Sequence, residues 1–216
     1  MSTGSAGANE RASTTRGAVG GIVRMRFILA TILLATVLGF AVGGRLSGLS
    51  SLRVRWTPAA LVGLGLQLAP VPGRVWPFVL LIVSFVLLLA FAVVNLRARV
   101  PGFVLILIGV VLNFTVIAVN HGMPVSRSAL LASHQEDTLP ILEHRAGPKH
   151  HLAGPGDEVL FLGDVIPLPP LYQVVSVGDV LAYGGVVWLV VAGMRRRRPV
   201  ATPAPARDGT VAEGTA

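Results

Sequence analysis

No cysteine occurs in the 216 residues, which excludes a disulfide, a thiolate nucleophile and a cysteine-ligated zinc. Any folded part outside the cytoplasm must therefore hold together without covalent staples. Charge is scarce as well: 13% of residues are charged while 53% are hydrophobic, and the apolar residues come in blocks. A soluble globular domain carries about 25% charged residues, so the ordinary soluble case is excluded. Lysine is nearly missing, with Lys149 alone beside 17 arginines. The net charge of +8 invites a nucleic-acid reading, but the arginines flank the apolar blocks and form no stripe with interleaved aromatics. Retention of positive loops on the cytoplasmic side of a membrane explains the pattern without nucleic acid. The chain also lacks a phosphate-cradling glycine loop, a Gly-x-Ser-x-Gly elbow and a His-Glu-x-x-His motif. No cofactor is implied.

What is present is a series of apolar runs. Five read as membrane spans: residues 27–43, 57–71, 76–94, 103–119 and 177–194. A span needs about 20 residues, so the first is marginal. The second is short, is bounded by Pro58, Pro70 and Pro72, and has a re-entrant alternative. Ala35, Gly39 and Gly43 recur every four residues in the first run, giving one face for close helix packing. A cleaved signal peptide is the alternative there, yet Arg45 follows directly and no clean small-x-small site precedes a mature start. Residues 71–76, VPGRVW, are expected to turn tightly. Residues 1–24 have almost no large apolar side chains, and 195–216 become Pro/Ala-rich after four arginines; both are expected to be disordered. Met25 is an alternative start.

Residues 120–176 change character. Between Asn120 and Ser176 stand three cations and six anions, a net charge of −3 in a basic protein. With five spans the arginines at 45–55, 97–99 and 195–198 share one side, which the positive-inside rule makes the cytoplasm. The N-terminus is then outside and the C-terminus inside. Four arginines within 11–26 oppose that orientation, and a start at Met25 removes three of them. The expected fold is an all-α integral membrane protein with five transmembrane helices. Helices 1–4 occupy residues 25–119, an acidic extracytoplasmic loop 120–176, and helix 5 residues 177–194. Within the loop, residues 126–137 predict a short amphipathic helix on the membrane surface, and Pro167–Pro170 a stiff extended segment.

Gly-Asp-Val occurs twice, at Asp164 and at Asp179, the second at the head of the last apolar run. Two carboxylates meeting at the edge of a bilayer cannot both ionise cheaply; sharing a proton, they form a candidate catalytic pair. The structural alternative is specific. Ser176-x-x-Asp179 matches a capping box, and Asp164 follows Gly163 ahead of a proline-rich run, where Asp commonly serves a turn. Asn113 and Asn120 lie seven apart on one helix face; Asn113 is expected to bond between helices, and Asn120 to line a pocket with the two aspartates. His150 is a further candidate binding residue. Histidines 121, 134, 144, 150 and 151, with Glu143 or Asp157, offer metal-ligand types but no ligand spacing, so no metal site is assigned.

The segments NHGMPVS at Asn120–Ser126, Lys149-His150, LGDVIPLP at Leu162–Pro169 and VSVGDVL at Val175–Leu181 carry a resemblance. Together with Asn113, they resemble an uncharacterised family of bacterial multi-pass membrane proteins, of the domain of unknown function 5317 type, from about Met25 to Met194. The resemblance implies a bacterial plasma-membrane location and a topology, and no activity. In the last third only, the spacing of Asp164 and Asp179 is similar to that of the lipoprotein signal peptidases. The chain lacks that family's Asn-x-x-Asp-Arg segment and has Ser176-Val177-Gly178 where Asn-x-Ala would stand. Three functions follow as expectations: an accessory or ligand-binding membrane component, an aspartyl-type hydrolase of lipid-anchored substrates, and a small proton-linked transporter. The expected partners are the lipid bilayer and another membrane protein.

Overall fold

The computed structural model describes residues 28–69, 75–144 and 149–196. The termini expected to be disordered, apart from Arg195 and Arg196, and most of the turn at 71–76 lie outside the described residues. Among the described residues three helices are long and apolar enough to cross a membrane: α3 (Val75–Arg97), α4 (Phe103–Asn120) and α7 (Val177–Arg195). Two further apolar helices are shorter, α1 (Ile28–Ala41) and α2 (Thr57–Leu68). A 3₁₀ turn at Leu46–Ser51 lies between them. The local reasons are legible. Pro58 sits in the first turn of α2, where its missing amide costs nothing, and Ala69 leaves the helix at ψ 122 ahead of Pro70. At 12 residues α2 is roughly 18 Å long, short of a bilayer core of about 30 Å.

Helices α2 and α3, α3 and α4, and α4 and α7 pack as antiparallel neighbours. Along the α3–α4 seam three ring pairs meet in order: Phe91 with Phe103 edge-on at 5.2 Å, and, tilted, Phe85 with Phe114 at 5.9 Å and Phe78 with His121 at 5.6 Å. Gly63 lets α2 approach Ser84 and Leu88 of α3, and Gln67 Nε2 donates to buried Ser84 Oγ at 2.9 Å. Helix α1 buries Thr31, Ala35 and Gly39, so the four-residue stripe is an inward face; Gly39 abuts Met194 of α7. Gly43 adopts φ +76 at the end of α1 and has nothing close to where a Cβ would stand, so it turns the chain and does not extend that face.

Backbone contacts fix which ends lie together. Arg45 N donates to Met194 O at 2.7 Å, and Arg55 is paired with Asn95 near the end of α3. Arg45, Arg53, Arg55, Arg97, Arg99, Arg195 and Arg196 therefore share one end of the bundle, opposite the long loop. Asn95 is fully buried and makes the join: its Oδ1 accepts from Arg55 N at 2.8 Å, and its Nδ2 donates to Arg55 O at 2.8 Å and to Phe91 O at 2.9 Å. Asn95→Leu is expected to cost about 1–3 kcal/mol by orphaning the Arg55 amide and carbonyl; thermal unfolding in detergent would measure it. No loss would mean the segment before α2 is held by other contacts.

The loop departs from the all-α expectation. Its described residues hold four three-residue strands: β1 (Met123–Val125) pairs in parallel with β2 (His150–Leu152), and β3 (Ile166–Leu168) antiparallel with β4 (Gln173–Val175). Backbone groups folded against a protein surface must be paired, and proline and β-branched residues here favour pairing between segments over helix. The expected helix at 126–137 is confined to α5 (Arg127–Ala132), followed by a 3₁₀ turn at Glu136–Thr138 and by α6 (Leu139–His144). Helix α5 buries Ala129 and Leu130 against Val125 and Val174, so that face meets protein. The proline run is extended only through β3, because Pro169–Leu171 forms a 3₁₀ turn.

Candidate functional site

The candidate residues gather where the loop meets α4 and α7. Glycines bring the two helices together. Gly102 and Gly109, like Gly178 and Gly185, lie seven apart, and Gly109 faces Gly178 while Gly102 faces Gly185. A Cβ on Gly178 would stand 2.7 Å from Gly109 O, and one on Gly185 2.6 Å from Gly102 O. Gly102 also has φ +83, so both conformation and space require glycine there.

This approach carries Asn113, one turn beyond Gly109, to the first turn of α7. Ser176 caps that helix, its Oγ accepting from Asp179 N at 2.9 Å, while Ser176 N donates to Asp179 Oδ2 at 3.1 Å; the capping box expected from sequence is present. Asn113 completes it from the neighbouring helix. Asn113 Nδ2 donates to Asp179 Oδ1 at 2.8 Å, and Asn113 Oδ1 accepts from Ser176 Oγ at 2.8 Å. Ser176 is fully buried, so its hydroxyl uses both its roles inside protein. The carboxylate also sits at the positive end of α7.

Asp164 is placed differently. Its residue is 8% exposed and pairs in parallel with Val125, its N donating to Pro124 O at 3.0 Å and its O accepting from Ser126 N at 2.9 Å. Asp164 thus lies along β1 as an added strand position, not simply in a turn. His150 Nε2 lies 3.8 Å from Asp164 Oδ2, an ion pair when the imidazole is protonated. Asn120 engages the main chain of Glu158: its Oδ1 accepts from Glu158 N at 2.7 Å, and its Nδ2 donates to Glu158 O at 3.0 Å. The structure thus brings Asn113 to Asp179 and His150 to Asp164, and attaches Asn120 to the loop.

Several contributors carried no clear sequence signal. His151 Nε2 and Asp157 Oδ1 are 2.7 Å apart, and Asp157 Oδ2 accepts from Gly154 N at 2.8 Å, closing a short loop. The Lys149 ammonium donates to Gln67 O at the end of α2, a favourable place for a cation. Arg127 pairs with Glu143 across α5 and α6. Among the described residues no three His, Asp or Glu side chains gather as a metal-holding group.

Residues 53–191, more than half of the chain, match the model of a family of unknown function, DUF5317. The match begins after α1 and covers α2 through most of α7. No curated protein and no solved structure matches the chain.

Proposed function

We propose that this chain, which belongs to the DUF5317 family of unknown function, is a non-enzymatic component of the bacterial plasma membrane whose folded acidic loop is an extracytoplasmic binding face. In this reading α1 and α2 cross with the three long helices, giving five spans; residues 25–119 hold the first four, 120–176 the loop and 177–194 the fifth. The arginine end is cytoplasmic, in keeping with its seven clustered arginines. The partner is another membrane protein or a small ligand, met by the face that includes Asn120, His150 and Asp164.

One observation carries the choice of a non-catalytic role. Both oxygens of Asp179 are engaged, Oδ2 by the Ser176 amide and Oδ1 by Asn113 Nδ2. An aspartyl hydrolase would need that carboxylate to share a proton with Asp164 and to activate water. A carboxylate already bonded as a helix cap is poorly suited to either task. Proton relay by a transporter would require it to exchange those bonds in each cycle.

The absence of cysteine makes the topology directly testable. In intact cells, Glu136→Cys is expected to react with a membrane-impermeant maleimide, whereas Ser47→Cys and Arg196→Cys react only after lysis. Labelling of position 47 from outside would favour the re-entrant arrangement of 57–71. Labelling of 196 but not 136 from outside would reverse the orientation.

A further inference from the structure

The loop carries an apolar turn that its own core does not absorb. Leu160–Leu162 forms a single 3₁₀ turn in which Leu162 packs on the bundle cluster of Leu81, Phe85, Val116, Ile117 and Met123. Its neighbour Phe161 turns away and is 67% exposed, with Val159 and Leu160 also exposed. Two devices hold the turn at this depth. The Asn120 amide clasps both main-chain groups of Glu158, immediately before it. Val159 then takes φ 46 and ψ 40, a left-handed conformation that a β-branched residue adopts only when its surroundings impose it.

Leu162, packed on Val116 and Ile117, sets the turn against the last turns of α4. Exposed apolar side chains also stand on the ends of α4 and α7 against which the turn packs, with Val119 45% and Val180 50% exposed. We propose that the Val159–Leu162 turn is a lipid anchor, with Leu160 and Phe161 seated in the headgroup–acyl boundary on the loop side. This rests on the reading of the helices as membrane spans. The occupant is an acyl-chain boundary and not an anionic headgroup, because Asp157 and Glu158 precede the turn and would repel anionic lipid. Its consequence is positional: the acidic cap is tied down to the bilayer at the edge of the α4–α7 seam.

The test uses the full chain in phosphatidylcholine vesicles, with a nitroxide on Phe161→Cys as the sole thiol. Val86→Cys, outward on α3, and Glu136→Cys, on the loop, serve as references. At 161, collisions with oxygen are expected to exceed those with a water-soluble nickel chelate, as at 86 and opposite to 136. Replacing part of the lipid with phosphatidylglycerol is expected to leave the ratio unchanged. Adding Asn120→Ala is expected to move it toward the value at 136 while the helical content stays constant. Chelate access at 161 equal to that at 136 would overturn the anchor while leaving the spans intact. Shielding of 161 from both reagents would also overturn it, since protein would then cover the turn. Chelate access at 86 would overturn the spanning reading, and the anchor with it.

Discussion

Gly185→Leu is expected to destabilise the folded bundle severely, whereas Gly184→Leu, one residue earlier on the same helix, is expected to leave it unchanged. The two positions differ only in the face of α7 they occupy. A Cβ on Gly185 would meet Gly102 O at 2.6 Å and Ile106 N at 2.8 Å, while one on Gly184 meets nothing within 4 Å. The obstructing atoms are main chain on a packed helix, so no rotamer change relieves the clash and α7 must move off α4. Overpacking a core commonly costs 1–3 kcal/mol and occasionally more. Here the displaced seam also carries the Asn113 bonds, so a loss of about 3 kcal/mol or more is expected, against a total stability on the order of 5–15 kcal/mol. Leucine at 184 adds an apolar side chain to an outward face and should change stability by no more than about 0.5 kcal/mol. Size-exclusion profiles and thermal midpoints of the two variants in detergent measure the difference. Equal tolerance at both sites would mean that α4 and α7 do not touch through these glycines.

That seam also shows what the sequence made legible. The helices were readable because a long apolar run has few other ways to satisfy its backbone: residues 76–94, 103–119 and 177–194 were expected as spans, and α3, α4 and α7 differ from them by at most three residues at an end. Ser176 and Asp179 were readable because a capping box is local. Gly102, Gly109, Gly178 and Gly185 were different. Their seven-residue spacing is present in the sequence, but a glycine is a contact only if a second helix faces it, and spacing within one helix does not name the partner. Asn95 was missed for the same reason, since its partner is a main-chain unit 40 residues away. The loop strands gave almost no signal, because three residues are too few for alternation to register. The length of α2 was set by prolines visible beforehand, yet the reach of Lys149 to its last turn was not.

Asp179→Ala is expected to destabilise the protein by about 1–3 kcal/mol, the cost of leaving buried donors without acceptors, while Asp179→Asn is expected to lose about 1 kcal/mol or less. Alanine removes the acceptor of the Ser176 amide and the partner of Asn113 Nδ2 together. Asparagine keeps the length and one oxygen, and it caps helices as well as aspartate does. Its amide nitrogen replaces one acceptor by a donor, and a flip of the Asn113 amide would restore a partner for it. Asn113→Ala should cost about as much as Asp179→Ala, since it strands the Ser176 hydroxyl and Asp179 Oδ1. Because the two side chains serve one another, the double variant should fall short of additivity by about 0.5–3 kcal/mol, the range seen for residues in contact. Gly184→Leu, on the opposite face of α7, should add to each without coupling. The same series separates structure from chemistry. If Asp179 caps, Asp179→Asn should complement a chromosomal deletion as well as the native gene does. Loss of complementation by Asp179→Asn with an unchanged thermal midpoint would instead give the carboxylate a chemical task, and the non-enzymatic reading would fall.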